Sequence, residues 1–100
     1  FYEAAAQNKP KVLVLYAQWC QWCEKLFNET MTDPRVRVFS DDFVWVKADS
    51  GMDRALKDIY GQDGFPMIVI TDKDGNILKK MEGYKDADEL AMILEQIKQK

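Results

Sequence analysis

The segment Val12–Cys23 reads VLVLYAQWCQWC, and two adjoining patterns within it decide the fold. Its first five residues form a continuous apolar run, which is typical of a β-strand buried on both faces of a sheet. The two cysteines of the chain, Cys20 and Cys23, follow at once, and from Gln21 onward apolar residues recur at helical spacing. The sequence therefore predicts that both cysteines lie where a buried strand gives way to a helix.

The rest of the chain alternates between strand-like and helix-like segments. Further strands are predicted over Phe43–Ala48, Met67–Thr71 and Ile77–Met81, the last two as an antiparallel hairpin. Helices are predicted over Tyr2–Gln7, from Gln21 through Met31, from Asp33 through Phe39, from a Ser50 cap through Tyr60, and from Asp86 through Ile97. The helix after Ser50 is expected to bury Met52, Leu56, Ile59 and Tyr60. Because helical crossovers imply parallel pairing, we predict one α/β domain over residues 1–100, a three-layer α/β/α sandwich with a mixed sheet of about four strands.

The composition narrows the possible functions. A net charge of −3 provides no basic face for nucleic acid, and no apolar run approaches the roughly 18 residues of a membrane span. The chain has no histidine, which excludes Ser–His and Cys–His catalysis, and two cysteines cannot supply a four-thiolate zinc site. Because the sequence begins with Phe1 rather than methionine, we expect it to be a fragment of a longer precursor.

The spacing and position of the two cysteines suit thiol chemistry. Cys20 precedes the first helical turn, where free N–H groups and the helix dipole favour an anion, and the thiolate is the reactive form of cysteine. Cys23 lies on the same side of the helix and can attack a mixed disulfide that forms on Cys20. We therefore expect Cys20 to be an exposed nucleophile and Cys23 to be a shielded resolving thiol.

Two other interpretations of the cysteine pair remain open from the residues alone. A structural disulfide would close so short a loop that it would remove little entropy from the unfolded chain. A Cu(I) site is a real rival, because two thiolates before a helix suit a soft ion. The copper interpretation predicts exposed thiols and a different strand order, and it gives no role to Pro66.

Three segments resemble the thioredoxin superfamily. Tyr16–Cys23 is similar to the family's active-site motif, Gly64–Met67 to its cis-proline loop, and Gly83 to the glycine that lines its substrate groove. A closer resemblance, carried by Thr30–Val36, is to the C-terminal periplasmic domain of the DsbD family of electron transporters. The resemblance implies a thioredoxin fold and a thiol–disulfide oxidoreductase that needs no cofactor beyond its own dithiol.

The resemblance also implies roles for individual residues. The catalytic pair would be Cys20 and Cys23, with no metal, and the substrate-binding residues would be Trp19, Trp22, Phe65, Pro66 and Gly83. Trp22 is expected to be an exposed wall of the groove, and Trp19 to be partly buried against the loop. The implied partners are protein thiols and disulfides with an upstream thiol electron donor. A monomer in the periplasm or cell envelope is expected, with the cytoplasm as the alternative location.

The sequence departs from the thioredoxin pattern at positions that matter for proton transfer. Val14 stands where thioredoxin has a buried aspartate, and Trp45 stands where it has a lysine, with Lys47 two residues further on. No histidine lies between the cysteines, and Glu24 adjoins Cys23, which disfavours a second negative charge. We therefore expect a disulfide reductase or electron carrier, the alternative being a non-catalytic binding module or Cu(I)-binding protein that uses the same cysteines.

Overall fold

A four-stranded mixed sheet forms the centre of the computed structural model, which describes residues 8–99. Its strands are β1 (Lys11–Tyr16), β2 (Val44–Asp49), β3 (Met67–Thr71) and β4 (Ile77–Glu82). They lie in the order β2–β1–β3–β4, with β1 parallel to β2 and β3 antiparallel to both β1 and β4. The predicted mixed sheet and thioredoxin fold are confirmed. The predicted leading helix, Tyr2–Gln7, lies outside the described residues.

Helices connect the strands and cover the sheet. They are α1 (Gln21–Lys25), α2 (Pro34–Arg37), α3 (Arg54–Tyr60) and α4 (Ala87–Lys98). An aspartate caps each of the last three, because its carboxylate accepts a backbone N–H of the first turn; the caps are Asp33, Asp53 and Asp86. The predicted caps of α2 and α4 are therefore confirmed.

The predicted helix from Gln21 through Met31 changes its winding after one turn. Beyond α1 the chain forms a π-helical segment, Leu26–Thr30, and Met31 donates its N–H to the Leu26 carbonyl at 3.0 Å. The hydroxyl of Thr30, which is buried, donates to the carbonyl oxygen of Lys85 at 2.7 Å. This bond ties the end of the π-helical segment to the loop that follows β4. Sequence periodicity missed the change because Leu26 and Thr30 are also spaced for an α-helix.

Two expectations about α3 are wrong. Its cap is Asp53 rather than Ser50, so the helix begins later and Met52 lies in the preceding turn with 80% of its surface exposed. Ile59 is also 68% exposed, because a helix of only two turns presents one narrow row, including Tyr60, to the sheet. Of the four residues predicted to form the apolar face, only Leu56 and Tyr60 are therefore half-buried.

Alternate residues of the strands divide the core between the two faces of the sheet. Val12 and Val14 point to one face, where they pack with Ile68, Ile70 and residues of α4 such as Leu90 and Leu94. Leu15, Met67 and Val69 point to the other face and pack with Tyr60 of α3. The edge strand β4 is more open, and its lysines, Lys79 and Lys80, are exposed.

A buried polar contact holds the loop before β3 in place. The Ser50 hydroxyl donates to the Gln62 side-chain oxygen at 2.6 Å, and the Gln62 amide donates to the Gly64 carbonyl at 2.8 Å. Ser50 and Gln62 are almost fully buried. The pair therefore links the end of β2 to the loop that leads to Pro66.

The first prediction tests this contact. Ser50→Ala removes the donor to Gln62, and a buried acceptor without its partner should reduce the free energy of unfolding by about 1–3 kcal/mol. Ser40→Ala is the matched control, because Ser40 is exposed and its loss should change stability by less than about 0.5 kcal/mol. Urea denaturation followed by circular dichroism measures both, and equal losses in the two variants would contradict the prediction.

Candidate active site

Cys20 is both the first thiol of the pair and the N-cap of α1. Its backbone is extended, and its sulfur accepts the N–H of Cys23 at a distance of 3.0 Å. Serine, threonine or aspartate oxygens usually make this contact, so here a sulfur takes the place of the capping oxygen. Both cysteines are free thiols. The predicted junction of strand and helix is confirmed, since β1 ends at Tyr16 and α1 begins at Gln21.

The two thiols differ in exposure in the expected order but are both well covered. Cys20 is 8% exposed and Cys23 1%, and they pack with Ala17 beneath the partly buried rings of Tyr16 and Phe65. The expectation of an exposed Cys20 is therefore wrong in degree, because these rings cover it. The copper interpretation also predicted exposed thiols and a different strand order, and the structure shows neither within residues 8–99.

Burial keeps the second thiol protonated. Loss of solvent around Cys23, followed by its hydrogen-bonding and charge interactions with Cys20, raises the pKa of the Cys23 thiol to about 12. The other groups that act on this pKa are backbone amides of Ala17 and Cys23, and no carboxylate in residues 8–99 is among them. Cys23 is therefore held as a neutral thiol at physiological pH.

The positions that depart from the thioredoxin pattern supply no acid or base beneath the thiols. Val14 is fully buried in the core, and the ring nitrogen of Trp45 is buried without a hydrogen-bond partner among the described residues. The ammonium group of Lys47 lies over the rings of Tyr16 and Phe27, 5.7 and 5.2 Å from their centroids. At the positions where the thioredoxin pattern has an aspartate and a lysine, this chain therefore has an apolar and an aromatic side chain, those of Val14 and Trp45.

The loop before β3 lies beside the thiols. The Phe65–Pro66 peptide bond is cis, as the resemblance implied. Met67 pairs with Leu15, which places Pro66 next to the end of β1 that leads to the cysteines. Gly83 has a φ of 86°, a conformation that favours glycine, and donates its N–H to the Pro66 carbonyl at 2.8 Å. The cis-proline loop and the Gly83 loop are therefore joined directly.

Two aromatic pairs connect the cysteine segment to these loops. Trp19 meets Phe65 edge to face, with 5.0 Å between ring centroids, and Trp22 lies 5.5 Å from Tyr84. Trp22 is 56% exposed, as expected for a groove wall. Trp19 is 71% exposed, so the expectation that it is partly buried is wrong, because its ring rests against Phe65 rather than under the loop.

Comparison of the sequence with protein families agrees with the fold and with the geometry of the cysteine pair. A family described as a thioredoxin-like domain matches residues 1–98. The chain belongs to the thioredoxin-like domain family. The relatives of this thioredoxin-like domain include two proteins named thiol:disulfide interchange protein DsbD. One is from Cronobacter sakazakii, 34% identical over 88% of this chain, and the other is from Ralstonia nicotianae, 38% identical over 73%.

The same domain has close structural counterparts. The crystal structure of chloroplastic thioredoxin z superimposes with a TM-score of 0.78 at 25% identity, covering 97% of this chain and 85% of that one. By contrast, the matches cover 16% and 13% of the two DsbD proteins. The chain therefore spans between about one-eighth and one-sixth of the length of those curated relatives.

Several residues of the site gave little signal in the sequence. Tyr84 meets Trp22 and lies 3.1 Å from the Thr30 hydroxyl, but a tyrosine in a loop is equally consistent with local packing. Lys25 has the sequence pattern of a residue on a solvated helix face, but its ammonium group lies over both rings of the Trp22–Tyr84 pair. Gln62 sits in a glycine-rich turn, where burial is not expected. The position of each of these three residues depends on contacts between segments that are distant in the chain.

The second prediction uses the raised pKa of Cys23. Iodoacetamide should alkylate the lone thiol of Cys20→Ser at least about tenfold more slowly at pH 8 than that of Cys23→Ser, because burial, the largest cause of the raised pKa of Cys23, persists in that variant and disfavours the reactive thiolate. As the pH rises toward 12, the alkylation rate of Cys23 should increase about tenfold per unit, because only its small thiolate fraction grows. Mass spectrometry measures both rates, and urea-unfolded samples are the control. Equal rates for the folded variants at pH 8 would contradict the prediction.

Proposed function

We propose that this domain is a thiol–disulfide oxidoreductase that acts as a protein-disulfide reductase or electron carrier. The observation that carries the proposal is the dithiol itself, in which Cys20 caps a helix and accepts a hydrogen bond from Cys23 while burial keeps Cys23 protonated. Its relatives named thiol:disulfide interchange protein support the same activity. The chain matches only a small part of those proteins. The proposal therefore concerns the activity of this domain and not that of the longer proteins.

The reaction needs only the two sulfurs and a partner disulfide. The Cys20 thiolate attacks one partner sulfur, forms a mixed disulfide and releases the other partner sulfur as a thiolate, which takes up a proton. Cys23 then loses its proton and attacks the Cys20 sulfur, which closes the Cys20–Cys23 disulfide and frees the second partner thiol. Two electrons pass to the partner, and an upstream dithiol donor restores the reduced pair. The backbone N–H of Cys23 stabilises negative charge on Cys20 in the first step.

The partner is proposed to lie extended across the groove beside the thiols. Its walls are Trp19, Trp22, Phe65, Pro66 and Gly83, of which the tryptophans are the most exposed. The partner backbone would pair with residue 65 in the manner of an added strand, and its side chains would meet the aromatic rings. The hydrogen bond between Gly83 and Pro66 supports this role, because it holds two walls of the groove together.

Partners and location follow from the same proposal. Protein thiols and disulfides are the substrates, the dithiol is the electron carrier, and no further cofactor takes part. Residues 8–99 contain no helix with the length and apolar character to cross a bilayer. We place the domain in the periplasm or cell envelope as a monomer, on the resemblance of its sequence to the periplasmic domain of DsbD.

The third prediction concerns the direction of electron flow. Strong oxidants of this class owe their potential to a stabilised reduced thiolate, and here no histidine lies between the cysteines and burial disfavours charge on Cys23. The Cys20/Cys23 couple should therefore lie nearer the thioredoxin value of about −270 mV than the strong-oxidant value of about −120 mV. Equilibration with glutathione buffers measures the potential. A value above about −180 mV would contradict the assignment as a reductase.

The fourth prediction separates the roles of the two cysteines. Cys23→Ser should attack insulin and accumulate as a mixed disulfide that dithiothreitol releases, because the resolving thiol is absent. Cys20→Ser should neither trap nor reduce insulin, since its remaining thiol is buried and protonated. Non-reducing electrophoresis detects the trapped species, and the unaltered protein is the control for turnover.

The other outcomes of that experiment identify the competing functions. Equal trapping by both variants would reverse the roles of the two cysteines. Tight Cu(I) binding by the reduced protein, together with no insulin reduction, would replace the oxidoreductase with a copper carrier. Absence of both activities would leave a non-catalytic binding module.

A further inference from the structure

Each aromatic pair beside the thiols carries a lysine. The Lys25 ammonium lies 5.3 Å from the Trp22 ring centroid and 5.2 Å from that of Tyr84. On the other side, the Lys57 ammonium lies 5.3 Å from the centroid of Phe65, the ring that contacts Trp19. Attraction between a cation and an aromatic face holds each positive charge over the wall of the groove.

The two charges are not neutralised nearby. Neither lysine forms an ion pair with a carboxylate in the stretch from residue 8 to residue 99. The carboxylates spaced to face the lysines are Glu29, four residues after Lys25, and Asp53, four residues before Lys57. Neither forms an ion pair with its lysine, and the Asp53 carboxylate accepts the N–H of Ala55 at 3.0 Å. Two other carboxylates near the groove are engaged with backbone N–H groups, Asp49 at 3.1 Å and Glu82 at 3.3 Å. An acidic protein thus presents two available cations at its proposed reaction site.

We propose that Lys25 and Lys57 select partner segments with acidic residues on both sides of the reactive cysteine. The inference rests on the proposed function, because it assigns a substrate class to the same groove. A partner extended over the cysteines would pass the Trp22–Tyr84 pair on one side and the Trp19–Phe65 pair on the other. Carboxylates flanking its cysteine would then approach a lysine in each direction. The lysines act as specificity-determining residues that touch the partner away from its sulfur.

The size of the effect follows from the exposure of the two charges. An exposed ion pair of this type changes affinity by a factor of about two to five, so two lysines together should give a preference of about fivefold or more. Much of the preference should appear in the rate of association, because charges of opposite sign speed encounter. Salt should weaken it, because screening shortens the reach of exposed charges.

The experiment measures reduction of disulfide-linked peptide dimers by the reduced protein. One peptide has glutamates on both sides of its cysteine, and a second has glutamines at the same positions. Each reaction oxidises the protein dithiol and yields two peptide thiols, and each rate is divided by the rate of dithiothreitol with the same peptide. The readout is the ratio of the second-order rate constant for the acidic peptide to that for the neutral peptide, which a partial loss of active protein does not alter.

The unaltered protein should prefer the acidic peptide about fivefold in about 20 mM salt and less than about twofold in about 0.5 M salt. Lys25→Gln and Lys57→Gln should each reduce the preference, and the double variant should remove it. Lys73→Gln is the matched control, because Lys73 is an exposed lysine in the turn at the far end of β3 and should keep the full preference.

The outcomes distinguish this inference from the proposed function. Reduction of both peptides at similar normalised rates would overturn the acidic selectivity and leave the oxidoreductase standing. A preference that Lys73→Gln loses as fully as the double variant would also overturn it, because the effect would then follow net charge. Failure to reduce either peptide or insulin would overturn the oxidoreductase and this inference together.

Discussion

The central position of β1 is the constraint on which the rest of the structure depends. β1 forms hydrogen bonds with β2 on one side and β3 on the other, so its carboxyl end is fixed in the middle of the sheet. Cys20 follows that end after a short turn, and its sulfur caps the helix that leaves it. Pro66 precedes the neighbouring strand β3, and Phe65, the residue before it, packs against the thiols. The groove proposed for the partner would be lined by the loop before β3 and by the loop after β4.

The sulfur cap makes the reactive group part of the helix it precedes. An N–H group in the first turn of a helix has no intrahelical partner, and the Cys23 amide finds one in Cys20. The same short segment places Cys23 one turn further in, where burial raises its pKa and keeps it uncharged. Two thiols three residues apart therefore have different environments without any acid or base from elsewhere in the described chain. Val14, which is fully buried in the core, likewise offers the thiols no acid or base.

The sequence was sufficient to predict the fold because its strongest signals are local. The apolar run Val12–Tyr16, the aspartate caps of α2 and α4 and the turn before β4 each depend on a few neighbouring residues. The features it did not predict depend on distant contacts. Trp19 is exposed because Phe65 contacts it edge to face and does not cover its ring. Ser50 is buried because it forms a hydrogen bond with Gln62, which is twelve residues further along the chain. Lys25 and Lys57 lie over aromatic rings only because the fold brings those rings beneath them.

The open edge of the sheet has a consequence for the protein at high concentration. Unpaired strand edges offer hydrogen-bonding groups on which a second chain can add a strand and begin a fibril. On β4, Lys79 and Lys80 are adjacent, so their charges lie on opposite faces of the strand. A strand that added to this edge would lie beside both lysines and would draw their charges out of water. The two charged lysine side chains of β4 therefore oppose the addition of a second chain at this edge.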